Sequence, residues 1–179
     1  KNVLKLSQVY SSKKINSLIL LNYCPELEFF LSWCQQLIAE SLGKKGKGLI
    51  PLLSSAPKDH HSLLQLYLDG PKDKFFYIFS HKKKNIKNNK NSLFQGVLNG
   101  KRLDEIKKAQ KEALVAVLRK KNIPYMEIEI ENINEETLGK LFSYFILETV
   151  LLGKGLKINP YNQPAVEEVK MLTKKNLFK

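Results

Sequence analysis

Short, unbroken apolar runs alternate along this chain with longer stretches whose apolar residues recur at helical spacing, and that alternation limits the fold more than anything else in the sequence. Ser17-Leu18-Ile19-Leu20-Leu21 and Phe75-Phe76-Tyr77-Ile78-Phe79 have no polar face. Such runs suit strands covered on both sides. Leu49-Ile50-Pro51-Leu52-Leu53 is a weaker strand candidate because of Pro51. Met126, Ile128 and Ile130 alternate with Glu127, Glu129 and Glu131, which predicts a half-exposed strand near an edge. Helical patterns lie between: from Pro25 through Phe29, Phe30, Trp33, Leu37 and Ile38; from His60 to Leu68, with Asp59 as N-cap; from Leu103 to Lys121; and from an Asn134 cap to Leu152. Pro164 suits the first position of a last helix ending near Phe178. Strand–helix alternation of this kind predicts an α/β fold, a three-layer parallel sheet with helices on both faces, plus a C-terminal helix. In such sheets ligands bind beyond the carboxyl ends of the strands, so the loops after the strands are the ones to search.

With 179 residues, 43% of them hydrophobic, the chain can bury a real core. The most apolar stretch, Leu141 to Leu152, is broken by Ser143, Tyr144, Glu148 and Thr149, so it reads as a buried helix and not a membrane span. Lys1-Asn2-Val3-Leu4-Lys5 has no apolar signal core, and the helical pattern already runs at Val3, Leu4 and Leu6. A start inside a longer polypeptide is therefore expected. Cys24 and Cys34 have no metal or redox spacing and suit reduced cytosolic thiols. The formal charge of +13 suggests a polyanion partner. Only Arg102 and Arg119 stand against 28 lysines, however, and arginine is the residue that grips bases and phosphates bidentately. Nucleic acid is not the expected partner, and the basicity suits solvated faces that attract phosphorylated small molecules. The low-complexity run 82–91 reads as an exposed loop.

Three segments carry unusual polar groups. In Ala39-Glu40-Ser41-Leu42-Gly43-Lys44-Lys45-Gly46-Lys47-Gly48, a glycine-rich basic loop that can wrap an anion follows a carboxylate. Many helix ends look like this without binding anything. In Lys58-Asp59-His60-His61-Ser62, a histidine at a helix N-terminus is held neutral and suits a proton shuttle near pH 7. Helical neighbours diverge by about 100°, so only one of the two rings can enter a given site. In Tyr161-Asn162-Gln163-Pro164-Ala165-Val166-Glu167-Glu168-Val169-Lys170, Gln163 stands at a helix entrance and Lys170 lies nearly two turns further on. Singly, each is as well explained by solvated surface.

Their order is more telling. The segment Trp33 to Lys44, then His61 with Gln65 to Lys74, then Tyr161 to Lys170 together resemble glucose-6-phosphate isomerase over essentially the whole chain. Asn162 stands where that family more often has Asp. The resemblance implies a flavodoxin-like sugar-isomerase (SIS) domain over 1–155, a C-terminal loop and helix over 156–179, and a cytoplasmic enzyme needing neither metal nor cofactor. It implies catalytic roles for Glu40, His61 and Lys170: Glu40 carries a proton between C1 and C2, His61 opens the sugar ring in the neighbouring subunit's site, and Lys170 assists at the ring oxygen. Gln163 would contact the substrate, while His60 matches no catalytic group. The implied partners are a sugar phosphate, the N-terminal half of the same enzyme and, for the complete enzyme, a second copy. The family's Ser/Thr phosphate loop and its enediolate-stabilising arginine have no counterpart here, so the chain alone is expected to be inactive. A phosphosugar-binding SIS-type module without catalysis and a basic nucleic-acid-binding domain are the alternatives.

Overall fold

A computed structural model describes residues 2–82 and 100–178. The strands β1 (Ser17–Asn22), β2 (Ile50–Ser55), β3 (Lys74–His81) and β4 (Tyr125–Ile130) form one parallel sheet in the order β2-β1-β3-β4. The helices are α1 (Asn2–Ser11), α2 (Glu28–Leu42), α3 (Lys58–Ser62), α4 (Leu64–Asp69), α5 (Leu103–Lys120), α6 (Glu135–Gly155) and α7 (Pro164–Leu177). The expected α/β architecture is present.

Both faces of the central strands are covered, which explains their unbroken apolar runs. Leu18, Leu20, Phe75, Tyr77 and Phe79 pack under α1, α2 and α6, with the fully buried Phe145 of α6 at the centre. Ile19, Leu21, Phe76 and Ile78 pack on the other face against Tyr67 of α4 and Leu114, Val115 and Leu118 of α5. Pro51 is tolerated because β2 is an edge strand, bonded among the described residues only to β1, so its missing N–H leaves no rung unfilled. At the other edge the glutamates of β4 are met by α5: Lys111 Nζ lies 3.2 Å from Glu127 and 2.8 Å from Glu129. Asn134 caps α6 as its sequence position suggests, its side chain accepting from the Thr137 N–H at 2.9 Å.

Two boundaries differ from the sequence expectation. Pro25 opens a 3-10 turn, Pro25–Leu27, and α2 proper starts at Glu28. Asp59 does not cap a single helix to Leu68. Pro57 takes the N-cap position, and the helix breaks at Leu63 (φ −123°) into α3 and α4. The Asp59 carboxylate is drawn backward instead, accepting from Ser55 N–H at 2.7 Å and Ser54 Oγ at 3.0 Å, and from Ser62 Oγ at 3.1 Å. It ties α3 to the end of β2. Of the run 82–91, Lys82 pairs with Glu131 and the rest lies outside the described residues.

Candidate functional site

Glu40 lies in the last turn of α2. Because α2 leaves the carboxyl end of β1 and returns to feed β2, it brings Glu40 to the amino edge of the sheet. This differs from the expectation that the polar loops of interest follow the strands. Its two carboxylate oxygens each accept an amide hydrogen: Gln36 Nε2 donates to Oε1 at 2.9 Å, and Gln163 Nε2 donates to Oε2 at 2.7 Å. The second contact joins residues 123 apart in sequence.

Local chemistry brings Gln163 there. α6 also ends at the amino edge, and residues Leu156 and Ile158 of the following turn are buried in the core. The Ile158 N–H donates to the Gly153 carbonyl at 3.0 Å. Pro160 packs so closely on Gly153 that a Cβ there would meet its ring at 3.1 Å. Asn159 Oδ1 then accepts from the Tyr161 N–H at 2.9 Å, and Gln163 takes the N-cap position of α7. From the other side, Lys44 Nζ donates to the Asn159 carbonyl at 2.8 Å and the Ser41 carbonyl at 3.1 Å, while Lys47 Nζ donates to the Leu156 carbonyl at 2.6 Å. Burial lowers the Lys44 pKa, partly offset by the nearby Glu40 charge. The glycine-rich basic loop thus clasps the α6–α7 turn. The ammonium groups of Lys44 and Lys47 are both engaged by carbonyls of the chain.

Gly153→Ala tests this clasp. A Cβ against Pro160 should cost about 1–3 kcal/mol by overpacking, set against the roughly 1 kcal/mol that alanine gains over glycine within a helix. It should lower the midpoint of urea unfolding and loosen Gln163 from Glu40. An unchanged midpoint would mean that the turn moves aside freely.

The other expected residues stand apart from Glu40. His61, in α3, follows β2 at the carboxyl edge of the sheet, opposite the edge that holds Glu40. It is exposed. Lys170 lies about two turns beyond Gln163 on α7. Its Nζ is paired with Glu167 Oε1 at 2.7 Å, and α7 carries no buried residue. Two residues escaped the sequence reading. Gln36 holds Glu40 from one turn upstream, and the signal was its i, i+4 spacing. Glu148 of α6 is 5% exposed inside the core, accepting from Tyr77 Oη at 2.8 Å and Tyr144 Oη at 2.7 Å. Its place within the apolar run 141–152 was the signal there.

No family model matches the chain. Individual relatives do. Proteins named glucose-6-phosphate isomerase are 36% identical over 167 residues in Methanocaldococcus jannaschii, 38% over 173 in Mycoplasmopsis pulmonis and 32% over 170 in Staphylococcus aureus. By name, these relatives are glucose-6-phosphate isomerases. These alignments cover 92%, 93% and 92% of the chain. The chain in turn spans only 41%, 40% and 38% of the length of those relatives. Among solved structures, a hypothetical protein from Thermus thermophilus matches 98% of the chain with a TM-score of 0.85 and 26% identity, the match taking up 44% of that protein. A glucose-6-phosphate isomerase from Chlamydia trachomatis matches 90% with a TM-score of 0.71 at 17% identity, over 34% of its own chain, a likeness of fold.

Proposed function

We propose that this chain is the SIS-type, C-terminal part of a glucose-6-phosphate isomerase and supplies its proton-transfer carboxylate. The observation that carries this reading is the Gln36–Glu40–Gln163 arrangement, a carboxylate held by an amide on each oxygen, formed by two of the segments that resemble the family. Isomerisation of an aldose to a ketose moves one carbon-bound proton between neighbours. The Glu40 carboxylate takes the C2 proton of the open aldehyde, the electron pair forms the C1–C2 double bond of an enediolate, and the oxygen at C1 gains charge. Glu40, now protonated, returns the proton to C1, while the hydroxyl proton on O2 passes to O1. A carboxylate with both oxygens fixed suits this back-and-forth transfer, because its reach to two adjacent carbons is set in advance.

Within this reading His61 opens the ring, Lys170 assists at the ring oxygen and Gln163 contacts the substrate as well as Glu40. The placement of His61 at the opposite sheet edge favours its service to a second subunit, and so a dimer. Lys170 has to exchange its Glu167 partner for substrate, a modest cost for an exposed ion pair. The phosphate loop and the electrophilic arginine fall to the N-terminal half. Arg102 bonds Asp104 at 2.9 Å and Arg119 reaches Tyr125 Oη at 3.2 Å, and both lie far from Glu40 in sequence. A soluble, cytoplasmic enzyme follows from the same resemblance.

Reconstitution tests the reading. The purified chain alone should convert fructose 6-phosphate no faster than buffer, and the chain joined to the missing half should convert it readily. Full turnover by the isolated chain would show that the phosphate anchor is dispensable. No turnover by the completed polypeptide would remove the isomerase reading altogether.

A further inference from the structure

We infer that the hydrogen bond between Tyr23 and His60 is a positioning contact for His61, fixing the short helix α3 to the carboxyl edge of the sheet and so setting the direction of the neighbouring ring. This rests on the reading of His61 as the ring-opening group. Burial holds only the ends of α3, through Ala56 and Leu63, since none of its own five residues is buried. Two polar anchors hold the rest. Asp59 binds the end of β2 through Ser54 and Ser55. On the other side His60 Nε2 lies 2.6 Å from Tyr23 Oη, with the two rings edge to face at 88°.

Tyr23 is a firm support. It is 5% exposed, immediately follows β1, and its N–H donates to the Phe79 carbonyl of β3 at 2.9 Å. Burial raises the pKa of the Tyr23 hydroxyl and lowers that of His60, so the contact joins two neutral groups and either imidazole tautomer can serve. Adjacent helical residues point about 100° apart. With His60 turned inward on Tyr23, His61 must face outward, and it is exposed. Ala56 and Leu63 pack in the core on either side of α3 and hold its ends, so loss of the second anchor would leave the helix in place but free its middle turn to rotate, carrying His61 with it. His60 therefore acts through its neighbour.

A double-mutant cycle in the completed isomerase separates positioning from general support. Wild-type turnover of fructose 6-phosphate comes first, and its absence would sink the isomerase reading and not this contact alone. Tyr23→Phe keeps the ring and loses the hydroxyl. It should reduce kcat by about 10- to 100-fold, the scale of a misplaced group. In a His61→Ala background the same change should leave the residual rate unaltered, because nothing remains to be positioned. His60→Leu should repeat the pattern, and His60→Gln, which retains a polar group facing Tyr23, should recover part of the rate. His60→Leu also serves should Tyr23→Phe fail to fold. Equal losses with and without His61, or no loss with His61 present, would overturn the inference.

Discussion

Replacing Glu40 with glutamine should abolish most catalysis in the completed enzyme while leaving the fold intact. General-base catalysis contributes about 10² to 10⁴-fold, and loss of the base that moves the proton should fall at or beyond the upper end. The loss should appear in kcat with KM little changed, because the proposed function assigns the phosphate contacts to the N-terminal half. Folding should survive for a local reason. Gln36 and Gln163 both donate to Glu40, and a glutamine there offers only one acceptor oxygen. One of the flanking amides must flip to present its carbonyl, which an exposed side chain does easily. A kcat above about a tenth of wild type, far more than loss of a base allows, would mean that another group carries the proton.

The second large effect concerns stability and falls on Glu148. Truncation to alanine removes the common acceptor of Tyr77 and Tyr144 and opens a void beside Phe145. Together these should cost about 2–5 kcal/mol, read from urea unfolding of the chain. Glu148→Gln should behave differently. Burial raises the Glu148 pKa, and the two tyrosine hydrogen bonds only partly oppose it. The folded state thus holds this proton more tightly than the unfolded chain does. That contribution is complete below the unfolded carboxyl pKa of about 4.3 and is lost as pH rises through the higher folded value. The glutamine variant, which has no charge to bury, should gain on wild type at pH 7 and lose the advantage near pH 4. A gap that widens on acidification would reverse the assignment.

Much of this structure was legible beforehand, and the exceptions have physical reasons. Strands β1 and β3 were plain because burial on both faces demands unbroken apolar runs, and β4 because one half-exposed face demands alternation. Asn134 was legible as a cap because capping is local. Asp59 was misread because its carboxylate has an equally local alternative to capping: it bonds back to Ser54 and Ser55, five and four residues upstream, a choice the capping pattern alone does not decide. Glu40 and Gln163 were identified by resemblance, but the bond that joins them depends on α6 and the following turn ending at the amino edge. A rule that directs attention to the loops after strands misses that edge. The 43–48 loop could be read as an anion cradle or an ordinary helix end, and sequence does not show the carbonyls that Lys44 and Lys47 meet. Glu148 shows the converse, a charged residue within an apolar run whose two tyrosine partners come from different elements.

The most direct measurement is isotopic. The completed enzyme, incubated with fructose 6-phosphate in deuterium oxide, should introduce deuterium at C1 of the ketose and C2 of the aldose, because under the proposed mechanism the proton held by Glu40 exchanges with solvent between its two transfers. The Glu40→Gln enzyme should still bind the sugar phosphate and show no incorporation above buffer at either carbon. Deuterium entering C1 at a rate near wild type without the Glu40 carboxylate would contradict its role as the base.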